Sequence, residues 1–187
     1  MQKNSVSIRA LTETALSAAL IAVSAMICIP FPIPFTLQLF GVYLALFYLG
    51  GVRGSLAVLL YFTIGAIGLP VFSGFTGGIG RILDATGGFI IGFLILSLVY
   101  LLVERILGRS VLATCLSVTL SLLAFYLSGS LWYAFVYNGG EGYFASLPVT
   151  VLPFVIPDTL KILLARAIAL RLRNIFYKKS SEKQKND

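Results

Sequence analysis

Histidine is absent from this chain, cysteine occurs twice, and charge is scarce: Asp, Glu, Lys and Arg together make up 11% of 187 residues. Each shortage closes off a class of function. Cys28 and Cys115 stand alone, so no Cys/His spacing fits a zinc site and no disulfide framework is expected. Neither a metal nor a cofactor is expected. An enzyme would need an acid, base or nucleophile set; Asp158 and Lys161 could in principle furnish one, but histidine and any catalytic motif are lacking. The glycine-rich stretch 68–88 follows no strand and precedes no Gly-Lys-Ser/Thr element, so it is not a phosphate-cradling loop, and the chain alone cannot hydrolyse ATP. The net charge is +7, yet it has no folded soluble surface to sit on, which argues against nucleic acid as a partner.

What the chain has in abundance is apolar surface, with 58% hydrophobic residues and a mean hydropathy of +0.97. One soluble core cannot hide that much. The expected class is an all-α polytopic membrane protein, a single integral membrane domain over 1–187. Runs long enough to cross ~30 Å at ~1.5 Å per residue predict six transmembrane helices. They fall at about 7–29, 36–49, 52–69, 86–107, 111–137 and 148–172. The first is read as a span and not as a cleaved signal peptide, although Val23-Ser24-Ala25 offers small residues, because the run reaches Ile29 and its loss would leave an odd number of crossings.

Charge sets the orientation. Lys3, Arg9, Arg53, Arg105, Arg109, Arg171, Arg173, Lys178, Lys179, Lys183 and Lys185 all fall on the side of the two termini, whereas the opposite loops hold only Arg81. Basic residues near span ends stay cytoplasmic, so the reading is N-in, C-in in the plasma membrane. A basic cytoplasmic tail, 173–187, then lies near anionic lipid.

Three segments depart from plain lipid-facing helix. The first span carries Ala15, Ala18, Ala19 and Ala22; the pairs Ala15/Ala19 and Ala18/Ala22, four apart, let another backbone approach closely, either within the bundle or from a separate membrane partner. Pro30, Pro32 and Pro34 make a stiff outer connection that leads to Thr36, a candidate N-cap, and to Gln38. The glycine-rich third loop, with Phe72, Phe75, Arg81 and Asp84, is either a lid over an external cavity or a mobile connector.

The last span holds the strongest signal. Pro148, Pro153 and Pro157 interrupt helical hydrogen bonding, and Asp158 and Lys161 follow one turn apart on one face. Each charge at hydrocarbon depth costs at least ~2.5 kcal/mol on insertion scales. The two are either a structural ion pair, present because each cancels the other, or part of a ligand pocket. Apolar walls with few convergent polar groups suit a small acid that has an apolar body and an amide-like or urea-like head. A scaffold protein without a ligand remains the contrasting class.

Four stretches in order carry a resemblance: Pro34-Phe35-Thr36-Leu37-Gln38; Gly68-Leu69-Pro70-Val71-Phe72 with Gly74 and Gly77-Gly78; Thr86-Gly87-Gly88-Phe89 through Gly92-Phe93; and Asp158-Thr159-Leu160-Lys161. Together they resemble the BioY family, the biotin-specific S components of energy-coupling-factor transporters. The resemblance spans Ala10 to about Ala169. It implies a six-helix protein that holds biotin near the outer surface, and a binding role for Asp158 and Lys161. It also implies that the Ala-rich first helix, through Ala15, Ala18, Ala19 and Ala22, meets a transmembrane coupling subunit (T component), with two ABC ATPase subunits completing the transporter. With the neighbouring loops, the candidate substrate-binding set is Asp158, Lys161, Arg81, Asp84, Thr86, Gln38 and Phe75. Where the family commonly shows Gly-Pro before Thr-Gly-Gly, this chain has Asp84-Ala85, which leaves another small acid or vitamin as the alternative substrate.

Overall fold

A computed structural model describes residues 7–30, 33–137 and 143–186, with side chains through Ile175. Lys3, Phe31, Pro32 and the side chains of the tail lysines lie outside the described residues. Helix α1 spans Ile8–Met26. Hydroxyls in its first half are settled locally: Thr14 Oγ1 donates to the Ala10 carbonyl and Ser17 Oγ to that of Glu13. The buried face of α1 is Ala18, Ile21, Ser24 and Ala25.

A short hairpin, β1 (Cys28–Ile29) and β2 (Phe35–Thr36), connects α1 to α2 (Gln38–Leu49). Thr36 is not the helix cap expected from its position. It sits in β2, Leu37 takes the cap position, and Thr36 Oγ1 accepts from the Gln38 N–H at 3.3 Å, so the hydroxyl still meets one of the first free donors. Ten of the twelve residues of α2 are buried, as befits a central helix apolar all round; it packs against α1, α3, α5 and α8. The approach of α1 is close at Gly41, where a Cβ would lie 3.1 Å from Ile21 Cα. Gly50, at φ +81°, turns the chain directly into α3 (Gly51–Ala66).

Residues 67–86 form a folded loop with an antiparallel bridge between Phe72 and Thr76 and one helical turn, α4 (Ile79–Ile82). Helix α5 (Gly87–Leu107) and α6 (Val111–Trp132) then run against each other, and α6 ends in a π-helical turn, Tyr133–Tyr137. Ser110 caps α6 by accepting from the Ala113 N–H. Gly88 and Gly92, four apart, make the α5–α6 approach possible: a Cβ on Gly88 would lie 2.2 Å from Trp132 Cβ and 2.7 Å from the Ser128 carbonyl oxygen. Gly88→Val is therefore expected to cost ~1–3 kcal/mol of stability by overpacking. Thermal unfolding of the purified variant checks this, and an unchanged midpoint would contradict it.

The final expected span differs from its prediction. It begins at α7 (Tyr143–Thr150), bends by 52° across 151–154, and continues as α8 (Val155–Asn186), well past Leu172. Pro153 lies in the break and can donate no backbone hydrogen bond there. Phe154 turns inward at the same place and stacks on Phe35 with ring centroids 4.3 Å apart.

Three helices, Ile8–Met26, Gly87–Leu107 and Val111–Tyr137, are long and apolar enough to cross a membrane, and the bent pair α7–α8 makes a fourth. Helices α2 and α3 are apolar but shorter. The helix ends sort into two groups. At one end, where α1 and α3 begin and α5 finishes, Glu13 pairs with Arg9 at 2.9 Å and Arg53 at 3.1 Å. There Glu104 also pairs with Arg109 at 2.9 Å and accepts from the Gly51 N–H at 2.6 Å, closing the start of α3. The other end carries the hairpin and the 67–86 loop.

Candidate functional site

At that loop-covered end, the starts of α2, α5 and α8 and the last turns of α6 enclose a cavity with about 550 Å³ of free volume, its mouth included. Phe89, Ile90 and Phe93 of α5, Phe125 of α6 and Phe154 ahead of α8 form an aromatic and aliphatic wall. The rings are locked by one another: Phe93 and Phe125 lie 4.7 Å apart by centroid, and Phe89 meets Phe125 edge-on at 5.4 Å. Ile33, Pro34 and Thr36 from the hairpin and Ser73 from the 67–86 loop complete the enclosure.

Asp158 and Lys161 both line this cavity. Asp158 falls in the first turn of α8, a favourable place for a carboxylate, and is only 3% exposed. Lys161 Nζ donates to Asp158 Oδ1 at 2.8 Å, and the Tyr126 hydroxyl donates to Oδ2 at 2.8 Å. The carboxylate thus ties α6 to α8 and keeps unused lone pairs on both oxygens. Two further candidates from the sequence sit in the same wall. Gln38 is buried, with Nε2 donating to the Tyr61 hydroxyl at 3.0 Å. Thr86 is buried and its Oγ1 has no hydrogen-bond partner, a condition that costs ~1–3 kcal/mol unless something supplies one.

Arg81, Asp84 and Phe75, expected beside the ligand, are not among the residues that line this cavity. Arg81 and Asp84 spend their charges on each other. Asp84 also accepts from the Ala85 N–H at 2.7 Å through Oδ1 and from Trp132 Nε1 at 3.0 Å through its carbonyl, so it fastens the loop to α6 just before Thr86. Phe75, 65% exposed with φ +58°, stands at the outer tip of the loop. The small-residue face of α1 divides as well: Ala15 and Ala19 are exposed, Ala22 is half-buried, and Ala18 is enclosed at 3%, packed inside the bundle and closed to any partner.

Sequence reasoning missed Tyr126 and the ring cluster. Phe89 and Phe93, four apart beside Gly88 and Gly92, carried a readable spacing. Tyr126 carried none, since its partner lies 32 residues further on.

The family model described as the BioY family matches residues 1–178. The chain belongs to the BioY family. Among BioY relatives, the "Probable biotin transporter BioY" of Pyrococcus horikoshii is 42% identical over 161 residues, which cover 85% of this chain and 93% of the relative. The "Biotin transporter BioY" of Thermotoga maritima is 36% identical over 184 residues, covering 89% and 97%. A solved structure, the S-component for biotin from an ECF-type ABC transporter, superposes with a TM-score of 0.82 at 27% identity over 93% of this chain and 95% of that one.

Proposed function

We propose that this BioY chain is the membrane subunit that captures biotin for an energy-coupling-factor transporter, a binding protein and not an enzyme. The observation that carries the reading is the buried Asp158–Lys161 pair facing an aromatic-walled cavity in which the Thr86 hydroxyl lacks a partner. Biotin joins a fused ring system bearing a urea to an aliphatic chain ending in a carboxylate. The Lys161 ammonium complements the carboxylate, the free lone pairs of Asp158 accept urea N–H groups, and Phe89, Phe93 and Phe125 take the apolar body. Thr86 and Gln38 complete the polar rim. The Asp84-Ala85 departure bears on loop anchoring and not on the cavity wall, which favours biotin over another vitamin. Titrating the purified chain with biotin, desthiobiotin and thiamine tests this: sub-micromolar binding of biotin and none of thiamine is expected. Absence of biotin binding would overturn it.

The same proposal includes six crossings, N-in and C-in, in the plasma membrane as one integral domain. Counting α7–α8 as one span and adding α2 and α3 gives six. Helix α2 alone rises only ~18 Å, and its path continues through the hairpin to the surface. The charge cluster of Arg9, Arg53 and Arg109 then marks the cytoplasmic end, the cavity the outer end, and 173–187 a cytoplasmic extension of α8.

Delivery inward requires a T component and two ABC ATPase subunits, with the exposed pair Ala15/Ala19 as the docking face on α1. Ala19→Leu is expected to leave biotin affinity unchanged while lowering biotin uptake by the assembled transporter. Ala18→Leu, by contrast, should lower the melting temperature, because that methyl sits inside the bundle. Normal uptake by Ala19→Leu would remove the docking proposal and leave the binding proposal standing.

A further inference from the structure

Helices α6 and α8 are joined by the Tyr126–Asp158 hydrogen bond at the cavity end, but further toward the charge-cluster end they leave a groove between them. Its free volume is about 560 Å³, and its walls are the first turns of α6, with Val111, Cys115 and Val118, and Ile162 and Leu163 of α8, with Phe47 of α2 behind them. One charge lines it. Arg166 lies ~12 Å along α8 from Asp158 and holds its guanidinium carbon 5.3 Å from the centre of the Phe47 ring.

That cation has no anionic partner among the described residues. Glu13, Asp84, Glu104 and Asp158 are each paired elsewhere. An arginine cannot shed its proton to escape the cost of burial. Phe47 lies two residues ahead of the Gly50 turn and Val111 opens α6, so the groove sits at the level where the bundle leaves the apolar layer on the charge-cluster side. An apolar trough with an unpaired guanidinium toward its charge-cluster end matches a phospholipid and not a soluble ligand.

We propose that the groove between α6 and α8 holds one anionic phospholipid, its acyl chain against Val118, Ile162 and Leu163 and its phosphate on Arg166. The site is separate from the biotin cavity and depends only on the membrane placement of the helices.

Native mass spectrometry of the full chain, released from nanodiscs of equal phosphatidylglycerol and phosphatidylcholine content, reads the site directly. The wild type is expected to retain one phosphatidylglycerol in preference to phosphatidylcholine. Arg166→Gln should lose that preference by about fivefold, the worth of one cation near an anionic surface, and Arg166→Lys should keep most of it. Cys115→Trp, which fills the groove and spares Arg166, should reduce retention of both lipids, so the proposal remains testable if Arg166→Gln does not fold. Equal retention of the two lipids by the wild type would overturn it. So would an unchanged preference in folded Arg166→Gln, or a lipid-free dimer in which a second copy covers the groove. Biotin titration of Arg166→Gln is expected to match the wild type, which keeps a failure here distinct from a failure of the vitamin-binding proposal.

Discussion

Lys161→Met is expected to weaken biotin binding by ~2 kcal/mol or more, about thirtyfold in Kd, with little change in the apolar packing around residue 161. The side chain is largely enclosed, so in the proposed complex its ammonium would meet the ligand carboxylate in a place where water cannot substitute for it. Methionine keeps the length of the stem and removes the ammonium, both its charge and its hydrogen-bond donors. The ligand carboxylate would then be desolvated without a counterion, and Asp158 would keep the Tyr126 hydroxyl as its one side-chain partner. Equilibrium binding of radiolabelled biotin measures the effect. A Kd within threefold of the wild type would mean that Lys161 serves Asp158 alone.

Asp158→Ala should produce the largest loss of stability in the protein, ~3–5 kcal/mol, because removing one member of a buried pair strands the other. Here it strands two groups, the Lys161 ammonium and the Tyr126 hydroxyl, and cuts the link between α6 and α8. The double variant Asp158→Asn/Lys161→Met separates structure from function. Deleting the two charges together removes the uncompensated burial, so its melting temperature should recover most of the way to wild type. Biotin binding should not recover. A double variant that regained both stability and affinity would identify the pair as a structural element and nothing more.

The membrane class was legible because hydrocarbon thickness acts on every residue of a span, leaving long apolar runs with charge at their ends. Asp158 and Lys161 were legible for the complementary reason, since a carboxylate and an ammonium stand out against an apolar helix. Thr86 and Gln38, singled out by ordered local stretches at the starts of α5 and α2, line the cavity where those helix ends meet it. Arg81 and Asp84 were placed by proximity in the expected topology, and neither lines the cavity. Their opposite charges, three residues apart, pair with each other. Thr36 failed as a cap because strand pairing with Cys28 claimed its backbone first. The four alanines of α1 looked equivalent in sequence, but packing against α2 and α3 fixed which of them face inward, and that depends on neighbours the local pattern does not encode. Tyr126 shows the limit most plainly, as its role exists only once α6 and α8 are side by side.

The most direct test of the central proposal is a crystal or cryo-EM structure of the purified chain saturated with biotin. The expected density fills the space between the 67–86 loop and α8, with biotin polar atoms within hydrogen-bonding distance of Lys161 Nζ, Asp158 and Thr86 Oγ1 and the rings against Phe89, Phe93 and Phe125. Biotin bound elsewhere, with the Asp158–Lys161 pair untouched and this cavity empty, would contradict it.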